Sequence, residues 1–194
     1  SGSKLIVELT RDDERWSVND VAVEARDAES RVRSTRRMAR ILKAGGSFLA
    51  AYQMNDRDRL GRICTDSFYR HSIAVGVLSA APLPTARMMA TRYRLRVHDE
   101  QADLILETAE GTYMLTLHER PPLEAGDKGL YAVSEVTIYE PGGAQAKRLS
   151  ALFTAQAIVQ IFSEALTNGD LPRLQQASTS DLNQQVWTRL DREL

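Results

Sequence analysis

The sequence has few of the residues that build disulfide frameworks, metal clusters or charged binding surfaces. It contains one cysteine, Cys64, and three histidines among 194 residues, and its formal net charge is −1. A single cysteine excludes a disulfide within the chain and a thiolate metal cluster, and it is compatible with a reducing compartment. The nearly neutral charge argues against a general nucleic-acid binder, which usually carries a basic excess. We therefore expect no cofactor and no nucleic-acid partner.

Long apolar runs and leader sequences are also missing. No uninterrupted apolar run approaches the roughly 20 residues that a membrane helix needs, so we expect no membrane span. No charged and then apolar leader precedes a cleavage site. Ser1, Gly2 and Ser3 resemble a cloning remnant, so a targeting segment of the natural protein could have been removed with the rest of its N-terminus. The composition is compatible with the cytoplasm, and the compartment stays open.

What the sequence does contain is the composition of a globular protein, 43% hydrophobic and 26% charged, together with an internal repeat. Residues 16–23, opened by Trp16, and residues 131–138, opened by Tyr131, share one design. In each segment apolar residues alternate, two polar residues intervene, and the alternation resumes with the opposite parity. Because successive side chains of a strand point to opposite faces, this slip predicts a β-bulge in both segments, at positions 19–20 and 134–135.

The helical segments downstream repeat with a spacing of 114 positions. The matching pairs are Met38 and Leu152, Phe48 and Phe162, Ala51 and Ala165, Asp56 and Asp170, Leu60 and Leu174, and Phe68 and Leu182. Asp56 and Asp170 each lie between two predicted helices, where a carboxylate accepts the free amides of the second helix. Pro172 suits the first turn of that second helix. A shared spacing across strands, helices and caps indicates a tandem repeat.

The pattern along the chain predicts the order of the elements. Alternation predicts a hairpin from strands 4–10 and 15–24, joined around Asp12 and Asp13. Helical spacing predicts a long helix from about Asp27 to Met54, interrupted by Gly45 and Gly46, which we expect to mark a bend or a close backbone contact. Two shorter helices and an antiparallel meander follow, and a second helical half begins after Pro141 and runs to Leu194. The shorter helices are predicted at 56–63 and 66–77, and the meander strands at 86–98, 102–109, 112–120 and 130–140.

These elements predict an α+β fold in which a long helix and shorter helices pack on a curved antiparallel sheet, with a partial second copy. We interpret residues 1–24 as the closing hairpin of a preceding repeat. Residues 25–140 form one complete cone-like domain on this interpretation, and residues 141–194 form the helical half of a following repeat.

The segment from Phe48 to Leu60, followed by a sheet that closes with the strand of Trp16 type, resembles the nuclear-transport-factor-2-like superfamily, whose domains have the cystatin-like cone shape. The segment from Phe162 to Leu174, with Gly169 and Asp170, resembles it as well. Members of the superfamily bind small apolar molecules in the cone, catalyse isomerisation, dehydration or cyclisation there, or associate with proteins through the sheet. The fold does not select among these functions.

The resemblance implies that polar residues lining a cone would be Tyr52, Asp66, Tyr69 and His71, since catalytic members place a tyrosine and carboxylates or histidines there. An acid or base in an apolar pocket has a shifted pKa that suits proton transfer. Each residue also has a structural explanation: Tyr52 continues an apolar helix stripe, Asp66 occupies a cap position, and a lone histidine is usually on the surface. No acid and base pair of an isomerase member matches this sequence residue by residue.

Charged clusters have structural explanations too. The basic run from Arg31 to Lys43 could contact phosphate, and it is more often a solvated helix face. Arg92, Arg94, Arg96 and His98 share one side of a strand, and Asp103 and Glu107 on the neighbouring strand can pair with them. A metal site at His98 and His118 with Asp99, Asp103 or Glu119 matches no familiar ligand spacing. Cys64 lies in an apolar helix and is expected to be a buried, inert thiol.

The helical half after residue 144 is rich in large apolar residues, such as Phe153, Val159 and Leu166, and no second sheet follows it. Leaving these side chains in water forfeits many kcal/mol, so the rest of the chain or a second chain must cover them. We therefore expect a non-enzymatic binding or scaffold module that associates through its repeat faces, for example as a homodimer or with a protein partner. The alternative is a module that binds a small apolar molecule, or an isomerase or dehydratase that uses the cone.

Overall fold

The chain folds as an α+β protein, as the sequence predicts. The structure is a computed structural model, and it describes residues 4–12, 15–24, 33–87, 93–121, 130–141 and 145–187. In these residues, helices pack on one face of an antiparallel sheet, and a separate hairpin lies at the N-terminal end. The division into domains at residues 24 and 140 stays a prediction, because residues 25–32 and 142–144 lie outside the described residues.

The strands form two antiparallel sheets. The first has the order β1 (Lys4–Asp12), β2 (Arg15–Glu24) and β3 (Arg33–Ser34). The second is a meander of β4 (Tyr93–Val97), β5 (Gln101–Thr108), β6 (Gly111–Glu119), β7 (Tyr131–Tyr139) and β8 (Ala146–Arg148). The predicted hairpin and meander are therefore confirmed. The short strands β3 and β8 were not predicted, because two or three residues are too few to show alternation.

The helices form two sets: the first precedes the meander in the sequence, and the second follows it. The first set is α1 (Thr35–Gln53), α2 (Arg57–Ile63) and α3 (Asp66–Phe68), with a π-helical turn at Tyr69–Ile73 and a 3-10 turn at Leu78–Ala80. The second set is α4 (Leu149–Asn168), α5 (Leu171–Gln176) and α6 (Ser180–Leu182), with a π-helical turn at Asn183–Trp187.

Some predicted boundaries are wrong. The long helix begins at Thr35 rather than near Asp27, because Ser34 pairs with β2 and its hydroxyl accepts the N–H of Arg37 at 3.0 Å, which caps the helix. Asp27 itself lies outside the described residues. The helix predicted for 66–77 ends at Ile73, and the strand predicted for 86–98 begins in the described residues at Tyr93.

The main core lies between α1 and the inner face of β5, β6 and β7. Phe48 and Leu49 of α1 are fully buried there, as are Leu104, Leu115 and Val133 of the sheet. Of the two roles predicted for Gly45, a bend or a close contact, the structure shows the close contact. A Cβ at this position would lie 2.5 Å from Leu104 Cδ2. The missing side chain therefore lets the helix approach the sheet.

The two copies of the repeat share the same bulge and the same return strand. The register skips Asn19 in the β1–β2 pair and Ser134 in the β6–β7 pair, which confirms both predicted bulges. After each bulge a short strand returns antiparallel, with Ala22 opposite Ser34 in the first copy and β7 paired with β8 in the second.

An acidic residue beside each bulge caps the helix that follows. Asp20 Oδ1 accepts the N–H of Val21 at 2.8 Å and that of Arg36, in the first turn of α1, at 3.1 Å. One repeat later, Glu135 Oε1 accepts the N–H of the next residue at 2.9 Å and that of Ser150, in the first turn of α4, at 3.2 Å. The sheet of one unit thus holds the long helix of the next.

The links between helices also repeat. Asn55 and Gly169 both have a positive φ, 53° and 65°, and each ends a long helix. Asp56 and Asp170 follow, and each carboxylate accepts the N–H three residues on, at 3.0 and 3.2 Å. Both predicted caps are therefore confirmed, and the three-dimensional repeat extends through α5.

Candidate functional site

The four polar residues that the sequence places in a cone are not brought together. Tyr52 is buried, and its hydroxyl lies 3.1 Å from the Leu78 carbonyl and 2.8 Å from the Ala81 carbonyl. Burial raises its pKa. Asp66 and His71 are exposed, and the half-buried Tyr69 stacks near Gly61. The structure therefore uses Tyr52 to anchor a loop, and Asp66 and His71 are exposed rather than enclosed in a cone.

The space between α1 and the sheet is filled by side chains. Phe48 packs on Phe68 with ring centroids 6.5 Å apart, and Leu106 and Leu117 are also buried there. An open cavity of about 570 Å³ lies instead outside this layer, against the end of α1, and Tyr52 is part of its lining. Residues 74–79 and Arg57 contribute to its lining. The Arg57 guanidinium donates hydrogen bonds to the backbone carbonyls of Ile73 and Gly76.

A second open cavity, of about 290 Å³, combines basic and apolar residues. Arg40, Lys43, Arg62 and Arg120 contribute to its lining, together with Leu130 and others. Arg120 has a structural role there, because its guanidinium donates to the carbonyl oxygens of residues 62 and 64. Residues 122–129, which follow Arg120 closely in the sequence, lie outside the described residues.

The remaining predicted clusters have structural partners. Arg94 pairs with Glu107, and His98 Nε2 lies 3.7 Å from Asp103 Oδ2, which confirms cross-strand pairing on that face. Across the described ranges, no group of three or more histidine, cysteine or acidic side chains could hold a metal ion. Cys64 is fully buried, and its burial raises the thiol pKa to about 12, as expected of an inert thiol.

The basic run near the start of α1 is used partly within the fold. Arg36 Nη2 donates to Asn19 Oδ1 at 2.5 Å, and Arg37 Nε donates to the Tyr131 hydroxyl at 2.5 Å. Arg37 also donates to the backbone carbonyl of His98 at 3.0 Å. Arg31 lies outside the described residues, and Arg33 belongs to β3 rather than to the predicted helix face.

One apolar surface is exposed on the N-terminal hairpin. We call it the hairpin face, and it consists of Leu5, Val7, Leu9, Trp16 and Val18, all exposed. The β1–β2 register matches that of β6–β7, so Leu9 corresponds to Leu117 and Val18 to Val133. Leu9 is 54% exposed and Val18 is 60% exposed, whereas both counterparts are 0% exposed. We call the described part of residues 35–139 the central unit, and in it helices cover the equivalent surface of β6 and β7.

A second apolar surface is exposed on α4. We call it the helix face, and it consists of Ile158, Val159, Ile161 and Leu166. Val159 and Leu166 correspond to Gly45 and Tyr52 of α1, which are buried against the central unit. Below the helix face, Phe162, Leu174 and Trp187 form part of a small separate cluster. In the described residues, therefore, no sheet packs on the helix face and no helix packs on the hairpin face.

The first two turns of α4 are anchored to the central unit. Leu149 and Phe153 are fully buried in the main core. A Cβ at Gly76 would collide with the Phe153 ring, so this glycine provides the space for it. Val77 N–H also donates to Gln156 Oε1 at 3.4 Å. The exposed helix face begins where these contacts end.

Helix α4 bears on the predicted absence of a membrane span. Within the described residues, it is the one helix whose length and composition would allow it to cross a membrane, with a mean hydropathy of 1.4 over its most apolar window. Gln156, Gln160 and Glu164 break every continuous apolar run, which is why the sequence did not predict this property. Length and composition alone are weak evidence of a span.

The acidic caps and Gly76 are the residues with a structural role that the sequence analysis did not identify. The sequence pattern assigned Asp20 and Glu135 only to β-bulges. An acidic residue that stands next to a break in strand alternation and before a helix is nevertheless a signal for a helix cap. The contact between Gly76 and Phe153 leaves no local signal, because it joins residues far apart in the chain.

Comparisons of the chain with protein-family models, with curated proteins and with solved structures find no match.

Proposed function

We propose that this protein is a non-enzymatic structural module, built from units of the nuclear-transport-factor-2-like type, that associates with further copies of itself through its repeat faces. The observation that carries the proposal is that both ends display the apolar layers that the central unit buries. Leu9 and Val18 are exposed, and Leu117 and Val133 are fully buried. Each exposed face matches one apolar layer of the central core, so docking of one copy on another would bring two matching layers together again.

The energetics favour this association only moderately. Burying the rest of a half-exposed Leu, Val or Ile side chain contributes about 1 kcal/mol, and the hairpin face and helix face together offer nine such side chains or larger ones. Association costs about 4–15 kcal/mol of translational and rotational freedom. We therefore expect a reversible complex that forms in the micromolar range or above.

Two features support the non-enzymatic assignment. Tyr52 is buried and lines a cavity whose described lining includes neither Asp66 nor His71, and Phe48 and Phe68 occupy the space where a cone would hold a ligand. Acid–base catalysis requires a donor and an acceptor within reach of one bound molecule. The alternative, a small-molecule enzyme or carrier, has no comparable observation in its favour.

Sedimentation velocity tests the proposal with two adjacent substitutions in β1. The weight-average mass of the native sequence should rise between about 1 and 300 µM, and Leu9→Asp should abolish the rise, because docking would bury a carboxylate and cost several kcal/mol. Thr10→Asp is the matched control. Thr10 is exposed, and its counterpart His118 stays exposed in the covered sheet, so this variant should associate normally.

A native chain that stays monomeric over this range would contradict the proposal. So would equal effects of Leu9→Asp and Thr10→Asp, because added charge rather than loss of the apolar face would then explain the change.

A further inference from the structure

The central unit shows how a hairpin face and a helix layer fit together, and the two chain ends carry the same parts separately. We propose that copies join head to tail, with the hairpin face of one chain docked on the helix face of the next, in the register that β6–β7 and α1–α3 adopt inside the central unit. This pairing rests on the self-association proposed above and specifies its geometry.

The internal interface supplies the register. Val133 of β7 pairs in parallel with Cys64, and the Thr65 N–H donates to the Val133 carbonyl at 2.9 Å. One repeat later, Thr179 occupies the place of Thr65 and caps α6 in the same way, at 3.4 Å. Val18 occupies the place of Val133. The head-to-tail complex therefore places the Val18 carbonyl of one chain at the Thr179 N–H of the next.

The residue at position 159 selects the hairpin as the occupant. Gly45 of α1 has no side chain because Leu104 of β5 lies against it. Val159 carries a side chain at the position equivalent to Gly45. A docked sheet with a leucine at the position equivalent to Leu104 would therefore collide with it. In the described residues the N-terminal sheet contains counterparts of β6 and β7 but none of β5. The hairpin thus fits over Val159, and the central sheet, already covered by α1, does not.

A two-fold pairing of helix faces would leave the other surface uncovered. If α4 packed on α4 of a second chain, Trp16 and Val18 of both chains would stay exposed at 65% and 60%. Head-to-tail docking covers both surfaces at once. Because the two docking surfaces differ, such contacts either continue into an open chain of copies or close into a ring.

A complementation experiment distinguishes these arrangements. Leu9→Asp damages the hairpin face and leaves the helix face intact, and Val159→Asp does the reverse. Sedimentation velocity should show each variant alone as a monomer where the native chain associates. An equimolar mixture should form a dimer and nothing larger, because one intact hairpin face and one intact helix face remain. We expect the mixture to associate at least about tenfold more tightly than either variant alone.

Cross-linking tests the register independently. A Cβ at Gly45 would lie 3.8 Å from Leu115 Cδ2, and the equivalent positions are Val159 and Val7. A Val7→Cys chain mixed with a larger, tagged Val159→Cys chain should give a mixed product with a short bis-maleimide. Thr10→Cys in place of Val7→Cys should give little mixed product, and the fully buried Cys64 should not react with the bis-maleimide.

Several results would overturn the pairing while leaving self-association intact. One is dimerisation of Leu9→Asp with itself, which indicates helix-to-helix contact. Another is a mixture of the two variants that stays monomeric. A third is a cross-linked Val159→Cys homodimer that is more abundant than the mixed product. A fourth is a Thr10→Cys cross-linked product as abundant as that of Val7→Cys. A monomeric native chain, in contrast, would remove the self-association itself.

Discussion

Asp20 is the residue that ties the N-terminal hairpin to α1. Its carboxylate accepts hydrogen bonds from the Ser34 hydroxyl, from the Thr35 hydroxyl at 3.0 Å and from the Arg36 N–H at 3.1 Å. The bond from Ser34 is the main reason why the pKa of Asp20 lies well below its usual value, and the bonds from Arg36 and Thr35 add to it against the opposing effect of burial. The ionised form of Asp20 therefore stabilises the folded chain.

The first prediction concerns Asp20→Asn and pH. Because the folded pKa is lowered, the stabilisation by Asp20 is fully present above its unfolded pKa of about 4 and is lost as the pH falls towards the folded value. Urea unfolding should show Asp20→Asn less stable than the native chain at pH 7, and the difference should shrink progressively below pH 4. Glu110→Gln, an exposed carboxylate in the β5–β6 turn, is the control and should change stability little at either pH.

A stability difference between Asp20→Asn and the native chain that stays constant from pH 7 to pH 2 would show that the carboxylate charge is not responsible.

At the scale of elements, the approach of α1 to the sheet depends on Gly45. The Leu104 Cδ2 atom occupies the space that a side chain at position 45 would need, and Leu104 is fully buried. A glycine inside a helix costs about 1 kcal/mol relative to alanine, so its presence in the middle of α1 is explained by packing rather than by helix formation. Leu104 therefore limits which side chain position 45 can hold.

Gly45→Ala should therefore destabilise the protein by about 1 kcal/mol, because the overpacking cost of about 1–3 kcal/mol exceeds the gain in helix propensity. In a Leu104→Ala background the same substitution should be neutral or stabilising, since the added methyl group then enters a cavity. Chemical denaturation of the four proteins in this cycle measures the coupling. Additive effects would show that Leu104 does not limit the space at position 45.

At the scale of the whole molecule, the described residues contain two apolar clusters of unequal size. The larger one joins the first helices, the central sheet and the start of α4, and the smaller one is built around Ala165, Leu174 and Trp187. A region with few buried apolar contacts opens at lower free energy than the main core. The C-terminal half unit is therefore expected to unfold first.

Tryptophan fluorescence can follow this unfolding directly. The chain has two tryptophans. Trp16→Tyr introduces the residue found at the equivalent position 131 and leaves only Trp187, which is 8% exposed and donates to the Ser178 hydroxyl at 2.8 Å. In urea the Trp187 transition should precede the loss of far-ultraviolet circular dichroism. If copies dock as proposed, this transition should also move to higher urea as protein concentration rises, because a docked copy would stabilise the half unit. Coincident transitions that are independent of concentration would contradict both expectations.

The sequence by itself determined the repeat, the two bulges at Asn19 and Ser134, and the caps at Asp56 and Asp170. These features depend on side-chain parity along one strand or on a hydrogen bond three residues away, so the signal and the structure lie in the same short segment. The fold class followed because the order of hairpin, helices and meander could be read from those segments.

Only the tertiary structure decided where α1 begins, why Gly45 has no side chain, and which apolar residues remain exposed at the two ends. The start of α1 depends on Asp20, which lies in another element, and the glycine depends on Leu104 across the core. The polar residues Tyr52, Asp66 and His71 were likewise placed apart by packing that no local pattern encodes. The burial of a side chain depends on residues that are distant in sequence, so it is determined only when the helices and the sheet pack together.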